Sequence, residues 1–150
     1  MIDFDKIPHE FHSVLKEKLK GRMDEINFPP PVFETMQGKI IDFDLQKDSL
    51  TNRFPVLSQF LNPYECMQGG IIATAIDNTI GPLSLLVAPP NFTRYLTVKY
   101  GKVVSKEMHF IYVKAKFSGK KKRHLYFDAI VENAKGEKLA SAKATHWIID

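Results

Sequence analysis

The chain has 150 residues, material for one domain, and its 44% hydrophobic and 25% charged residues exclude a disordered or fibrous protein. Its one cysteine, Cys66, excludes a disulfide-stapled secreted scaffold, and the mixed opening residues Asp3, Asp5, Glu10, Lys16 and Lys18 do not read as a signal peptide, so a cytoplasmic protein is expected. The net charge of +4 is uneven, with +7 on residues 99–150 and −3 on residues 1–98, which suggests either an anionic partner or a solvated lysine-rich face.

Over residues 8–20, Phe11, Val14, Leu15 and Leu19 recur at helical spacing between Lys and Glu, which predicts an amphipathic helix. The run Phe28-Pro29-Pro30-Pro31 should end anything helical, because proline lacks an N–H and restricts the residue before it. Strands are expected at 32–44 and 51–57 around a Lys47-Asp48 turn, and Asn62-Pro63 marks a loop. From Gly69 to about Val87 the sequence reads as one long helix, in which Ile71, Ile72, Ala75, Ile76, Ile80, Leu83 and Leu86 cover most of the circumference. Such a helix is buried, and its roughly 18 residues span about 27 Å. Asp77 inside it argues against a membrane span, since Asp at mid-bilayer costs about 2.5–3.5 kcal/mol. Gly81-Pro82 should kink or shorten its last turns.

The rest of the chain alternates with period two, the signature of half-buried antiparallel strands. Leu96, Val98 and Tyr100 share one face, as do His109, Ile111, Val113, Ala115 and Phe117, then Leu125, Phe127, Ala129 and Val131, and finally Ala140, Ala142, Ala144, His146 and Ile148. The alanine row would let a helix approach the sheet closely. Residues 118–124 and 134–137, each holding a glycine, read as hairpin loops. One buried helix wrapped by an antiparallel sheet is an α+β arrangement.

Chemistry concentrates at the start of the long helix. Gly69-Gly70 leaves first-turn N–H groups uncovered, and these lack intrahelical partners and carry the positive end of the helix dipole, so they can hold an anion or a developing oxyanion. The alternative is a tight turn with close packing. Asp77, between Ile76 and Ile80, is neither a helix former nor a cap there. Burial would strengthen it as a base toward a bound water, unless it bridges two helices or an interface. His109, His124 and His146 have no metal-ligand spacing with Cys66, so no metal site is expected. Cys66 reads as an inert thiol, and Met67, Phe92, Phe110, Phe117 and Trp147 read as core or pocket lining. No P-loop, dinucleotide fingerprint or nucleic-acid-binding motif is present. Lys120-Lys121-Lys122-Arg123, in a hairpin loop, is either a solvated tip that discourages edge pairing or a cationic site for phosphates.

The spacing Asn62-(x5)-Gln68-Gly69-Gly70-(x6)-Asp77-Asn78, followed by Tyr95-Leu-Thr-Val-Lys-Tyr100, resembles the hotdog-fold acyl-CoA thioesterases, in particular the branch of phenylacetate-pathway and 4-hydroxybenzoyl-CoA thioesterases. The resemblance covers residues from about 50 to 149, and residues 1–45 fit that family's variable N-terminal helix and first strand. It implies one hotdog domain over 1–150, with a helical extension over 1–25, that hydrolyses an acyl- or aryl-CoA to the free acid and CoA without a metal or cofactor. Carried onto this sequence, it makes Asp77 the nucleophile or general base and the Gly69 N–H, supported by Gly70 and the helix dipole, the oxyanion donor. Asn62 and Gln68 would orient carbonyl and water, and Thr93 would assist the attacking water. Gln68 stands where the family has a histidine; it can donate a hydrogen bond but cannot titrate. The resemblance also implies that Lys120, Lys121, Lys122 and Arg123 meet the CoA phosphates. It further implies a homodimer or homotetramer with composite active sites, with no nucleic-acid partner and no membrane insertion. The alternative is a non-catalytic acyl-CoA-binding module, a lipid sensor or regulator, which Gln68 favours and Asp77 and Asn62 oppose. A dehydratase would need an Asp/His pair in a different motif.

Overall fold

A computed structural model describes Asp3 and residues 5–149, so residues 1, 2 and 4 of the expected extension lie outside the described residues. The alternating segments form six strands, β1 (Lys39–Asp44), β2 (Ser49–Pro55), β3 (Asn91–Tyr100), β4 (Phe110–Lys121), β5 (His124–Glu132) and β6 (Lys138–Ile148). They make one antiparallel sheet in the order β1-β2-β4-β5-β6-β3, which leaves β1 and β3 as edges. One face carries the core, with Ile111, Val113 and Ala115 of β4, Leu125 to Val131 at alternate positions of β5, and Ala140, Ala142 and Ala144 of β6 all buried. The long helix α3 (Gly69–Val87) lies on this face. A second layer, α1 (His9–Lys18) and α2 (Pro31–Thr35), packs on α3.

Several elements depart from the sequence reading for identifiable reasons. Residues 31–35 are helical rather than extended, because proline at the first helical position loses no bond and arrives with its φ already set. The proline run therefore starts a helix instead of ending one, and β1 begins only at Lys39. His109 falls outside β4, exposed and at φ +62°. The β4–β5 hairpin is tighter than expected: Lys120 and Lys121 still pair in the sheet, Gly119 follows a register shift in β4, and Lys122 takes the turn at φ +55°. The helix crosses nearest β4 and β2, so the close approach expected over the alanines of β6 is not where it lies.

Pro82 does not break α3. Lacking an N–H, it cannot bond the carbonyl four residues back, that of Asn78. The buried side chain of Asn52 on β2 takes that place, donating its amide to the Asn78 carbonyl at 3.0 Å and to Thr79 Oγ1 at 3.2 Å. A polar residue in the core thus repairs a helix on a different element. Its own Oδ1 is buried with no partner among the described residues. By length and composition α3 could cross a membrane, and here Ile72, Ile76, Ile80 and Leu83 are buried under the sheet and α1.

Candidate active site

The predicted site residues separate into two groups along α3. At its start, Gln68 is the N-cap position; its carbonyl accepts the N–H groups of Ile71 and Ile72, which leaves those of Gly69 and Gly70 without a hydrogen bond among the described residues. Gly69 lies against Tyr100, whose hydroxyl donates to its carbonyl at 2.6 Å; a Cβ there would meet the ring at 3.2 Å, whereas one on Gly70 would meet nothing within 4 Å. Asn62 caps the preceding loop, its Oδ1 accepting the N–H groups of Tyr64 and Cys66. The Gln68 side chain is exposed.

Asp77 lies eight residues beyond Gly69, or about 12 Å at the helical rise. The structure does not bring the two together within one chain. Nor is Asp77 buried: it sits on an open strip of α3 with Gly70, and the desolvation expected from its apolar flanks is not supplied by this chain alone. Ile76 and Ile80 face the core while Asp77 faces outward.

The structure does bring Thr93 to Asp77. The Thr93 hydroxyl donates to Asp77 Oδ1 at 2.8 Å and lies 3.2 Å from His146 Nε2. A β-bulge aims it. Along β3, Leu96, Val98 and Tyr100 pair with Ala144, Ala142 and Ala140 on the core side, and strict alternation would turn Thr93 outward. The register shift between Thr93 and Tyr95 inserts one residue, so Thr93 pairs with His146 and shares its face.

His146 is buried and completes the arrangement. Asn91 donates its amide to the Pro89 carbonyl, which turns its Oδ1 toward His146 Nδ1 at 2.7 Å and places the ring proton on Nδ1. Burial holds the imidazole below its ordinary protonation range, against the pull of the Asp77 carboxylate, so in the neutral ring Nε2 presents a lone pair. Thr93 then has one proton and two acceptors. Sequence reasoning missed Asn91 and weighed His146 only as a metal ligand. The available signal was His146 itself, the one polar member of an otherwise apolar alternating row.

These four residues edge a cleft of about 260 Å³ whose other walls include Pro82 and Leu85 of α3 and Ile26, Asn27, Phe28 and Pro30 of the N-terminal segment. The basic turn is farther off but at the same end of the sheet. Lys121 pairs with His124, His124 with Trp147 and Trp147 with Phe92, so the cations lie three strand spacings, about 14 Å, from the residue before Thr93. Among the described residues no group of three or more His, Cys, Asp or Glu side chains could hold a metal ion.

No protein-family model matches the chain, and no curated protein matches it in sequence. Solved structures do match. A phenylacetic acid degradation-related protein of Ralstonia eutropha JMP134 is 22% identical with a TM-score of 0.74, over 85% of this chain and 97% of that one. PaaI of the E. coli phenylacetic acid degradation operon is 14% identical with a TM-score of 0.76, over 91% and 96%. A Streptococcus mutans UA159 protein bound to acetyl-CoA is 19% identical with a TM-score of 0.70, over 85% and 95%. A central helix laid on a six-stranded antiparallel sheet, matched by these proteins and by a member of the thioesterase superfamily, identifies the chain as a hotdog fold.

Proposed function

We propose that the protein hydrolyses acyl- or aryl-CoA thioesters to the free acid and CoA. The observation that carries this reading is the Asn91–His146–Thr93–Asp77 chain of hydrogen bonds at the rim of an apolar cleft, in a fold shared with proteins solved with acetyl-CoA and CoA.

In the reaction Asp77 takes a proton from a water whose oxygen bonds to the thioester carbonyl carbon, while the carbonyl π electrons move to oxygen. Thr93 orients that water and frees Asp77 to accept the proton by turning its own hydroxyl to His146 Nε2. The oxyanion needs donors within about 3 Å, and the Gly69 and Gly70 N–H groups at the positive end of α3 suit it. Collapse of the intermediate breaks the C–S bond, and the thiolate leaves with the proton that Asp77 accepted. Because Gly69 and Asp77 of one helix are too far apart for one carbonyl, the reading requires the donors of one copy and the carboxylate of another. The free edge β3 supports such pairing, with Phe92, Tyr95 and Tyr100 half to two-thirds exposed along it. Lys120, Lys121, Lys122 and Arg123 would hold the CoA phosphates.

The test is turnover of a CoA-thioester panel by the wild type and by Asp77→Asn. Release of CoA by the wild type and its loss in the variant supports the hydrolase. Tight binding of acyl-CoA with no turnover by either would make the protein a binding module instead.

A further inference from the structure

We propose that the segment Ile26–Pro30, which lies before the first strand, is the wall that sets which acyl groups the cleft admits; the inference rests on the thioester reading above. Ile26, Asn27, Phe28 and Pro30 face the cleft that Asp77, Thr93 and His146 border on its polar side. The segment is held in place by the helical layer beneath it. The Phe28 ring stacks on Phe11 at 5.8 Å between centroids, and Phe11, fully buried on α1, meets Phe43 of β1 edge-on at 5.4 Å. Pro29 between them is buried. The wall is therefore packed onto the core of the same chain that carries the carboxylate.

Its chemistry and the space it leaves define a substrate class. Pro82 and Leu85 line the same cleft as Ile26 and Phe28, and the Ser84 hydroxyl donates to the Gly81 carbonyl. Away from the catalytic rim these walls are apolar but for the amides of Asn27 and Asn78 and the Ser84 hydroxyl, with no charged side chain to meet a charged tail as it loses hydration. A methylene is no bulkier than a water, whose share of liquid volume is about 30 Å³, so the 260 Å³ that this chain contributes to the open cleft corresponds to roughly eight or nine non-hydrogen atoms. That is an uncharged straight chain of about eight carbons, or one aromatic ring on a short linker.

The experiment measures kcat/KM for straight-chain acyl-CoAs from two to sixteen carbons and for a single-ring aryl-CoA, with the wild type, Phe28→Ala and Ile26→Ala. Dissociation constants of the matching non-hydrolysable alkyl-CoA thioethers are measured alongside. The wild type should favour about eight carbons and the single ring over sixteen carbons by at least tenfold. Phe28→Ala should move the optimum about four carbons longer and raise the twelve-to-four-carbon ratio at least tenfold, and Ile26→Ala should move it about two. If Phe28→Ala fails to fold, shown by its thermal melt, Phe28→Leu and Ile26→Ala carry the test. Turnover with an unmoved length profile in the folded variants overturns the wall and leaves the hydrolase standing. A shifted thioether-binding profile without turnover upholds the wall and removes the hydrolase. Absence of both turnover and binding removes both.

Discussion

The first turn of α3 and its middle differ in what they can offer a substrate. At Gly69 and Gly70 the backbone presents hydrogen-bond donors and the positive end of a dipole, with Asp77 about 12 Å along the helix. Around Asp77 the backbone donors are consumed by the helix, and the side chains supply a carboxylate, a hydroxyl and an imidazole instead. One end can stabilise negative charge and the other can take a proton. Hydrolysis needs both at one carbonyl, and the helix fixes them about 12 Å apart. The helix therefore acts as a ruler: a second copy running antiparallel would bring its first turn beside the middle of this one.

Removing one end of the helix's chemistry at a time should have the largest effects. Asp77→Asn should lower kcat by about 10²–10⁴-fold. Gly69→Pro, which removes one donor where proline is compatible with a helix start, should lower it by about 10²–10³-fold, with a melt to show that the ring is tolerated beside Tyr100. Mixing the two inactive proteins and allowing subunits to exchange should restore activity through hybrid sites. A mixture as dead as its parts, or a fully active monomer in sedimentation, would mean that one chain holds the whole site.

Asn52 comes next, because it supports the one continuous helix that carries both ends. Asn52→Ala leaves the Asn78 carbonyl unpaired and should destabilise the fold by about 1–3 kcal/mol in urea titration. In a Pro82→Ala background residue 82 regains its N–H, so the same change should cost clearly less. Equal costs in both backgrounds would show that Asn52 does not compensate for Pro82.

Smaller effects are expected at the basic turn and at His146. Lys121→Ala with Lys122→Ala should lower kcat/KM for a full CoA ester roughly tenfold, mainly through KM, as expected for contacts remote from the scissile bond. The wild-type KM should rise with salt, and a truncated thioester lacking the nucleotide should show neither effect. Smallest is a pH effect at His146, which burial pushes below its ordinary value of about 6.5. The unfolded chain then binds the proton more readily than the folded one. The stabilising contribution is complete above pH about 6.5 and is lost as pH falls toward the folded value. The melting temperature should drop over that interval in the wild type and less in His146→Gln; equal drops would place the acid sensitivity elsewhere.

The parts of this molecule legible from sequence are those governed by local periodicity. The helix Gly69–Val87 is bounded by a glycine pair and carries a long apolar run, and β5 shows clean alternation. What escaped depends on partners distant in sequence. Nothing local to Pro82 shows that Asn52, on a strand beneath it, will satisfy the Asn78 carbonyl. Asn91 and His146 meet only because β3 and β6 pair, 55 residues apart. Counting apolar positions around α3 hid the narrow open strip carrying Gly70 and Asp77, because a strip of small and polar residues subtracts little from the mean. Thr93 follows from the family resemblance, as the nearest polar residue at the start of the next strand, whereas strand parity points it the wrong way.

That parity has a consequence for how the protein tolerates change. The strand β3 runs in two phases, one set by the packing of Leu96 and Val98 and the other by the need to face Asp77 from position 93, and a single extra residue joins them. Substitutions within the joint leave both phases intact. Gain of one more residue there would rotate Asn91 and Thr93 to the opposite face and bring Phe92 inward, with every site side chain still encoded, whereas loss of Arg94 would remove the bulge and leave Thr93 facing His146 by ordinary alternation. The proposed site is therefore written partly in chain length, and single-residue insertions in this short stretch should be purged far more strictly than exchanges of one side chain for another.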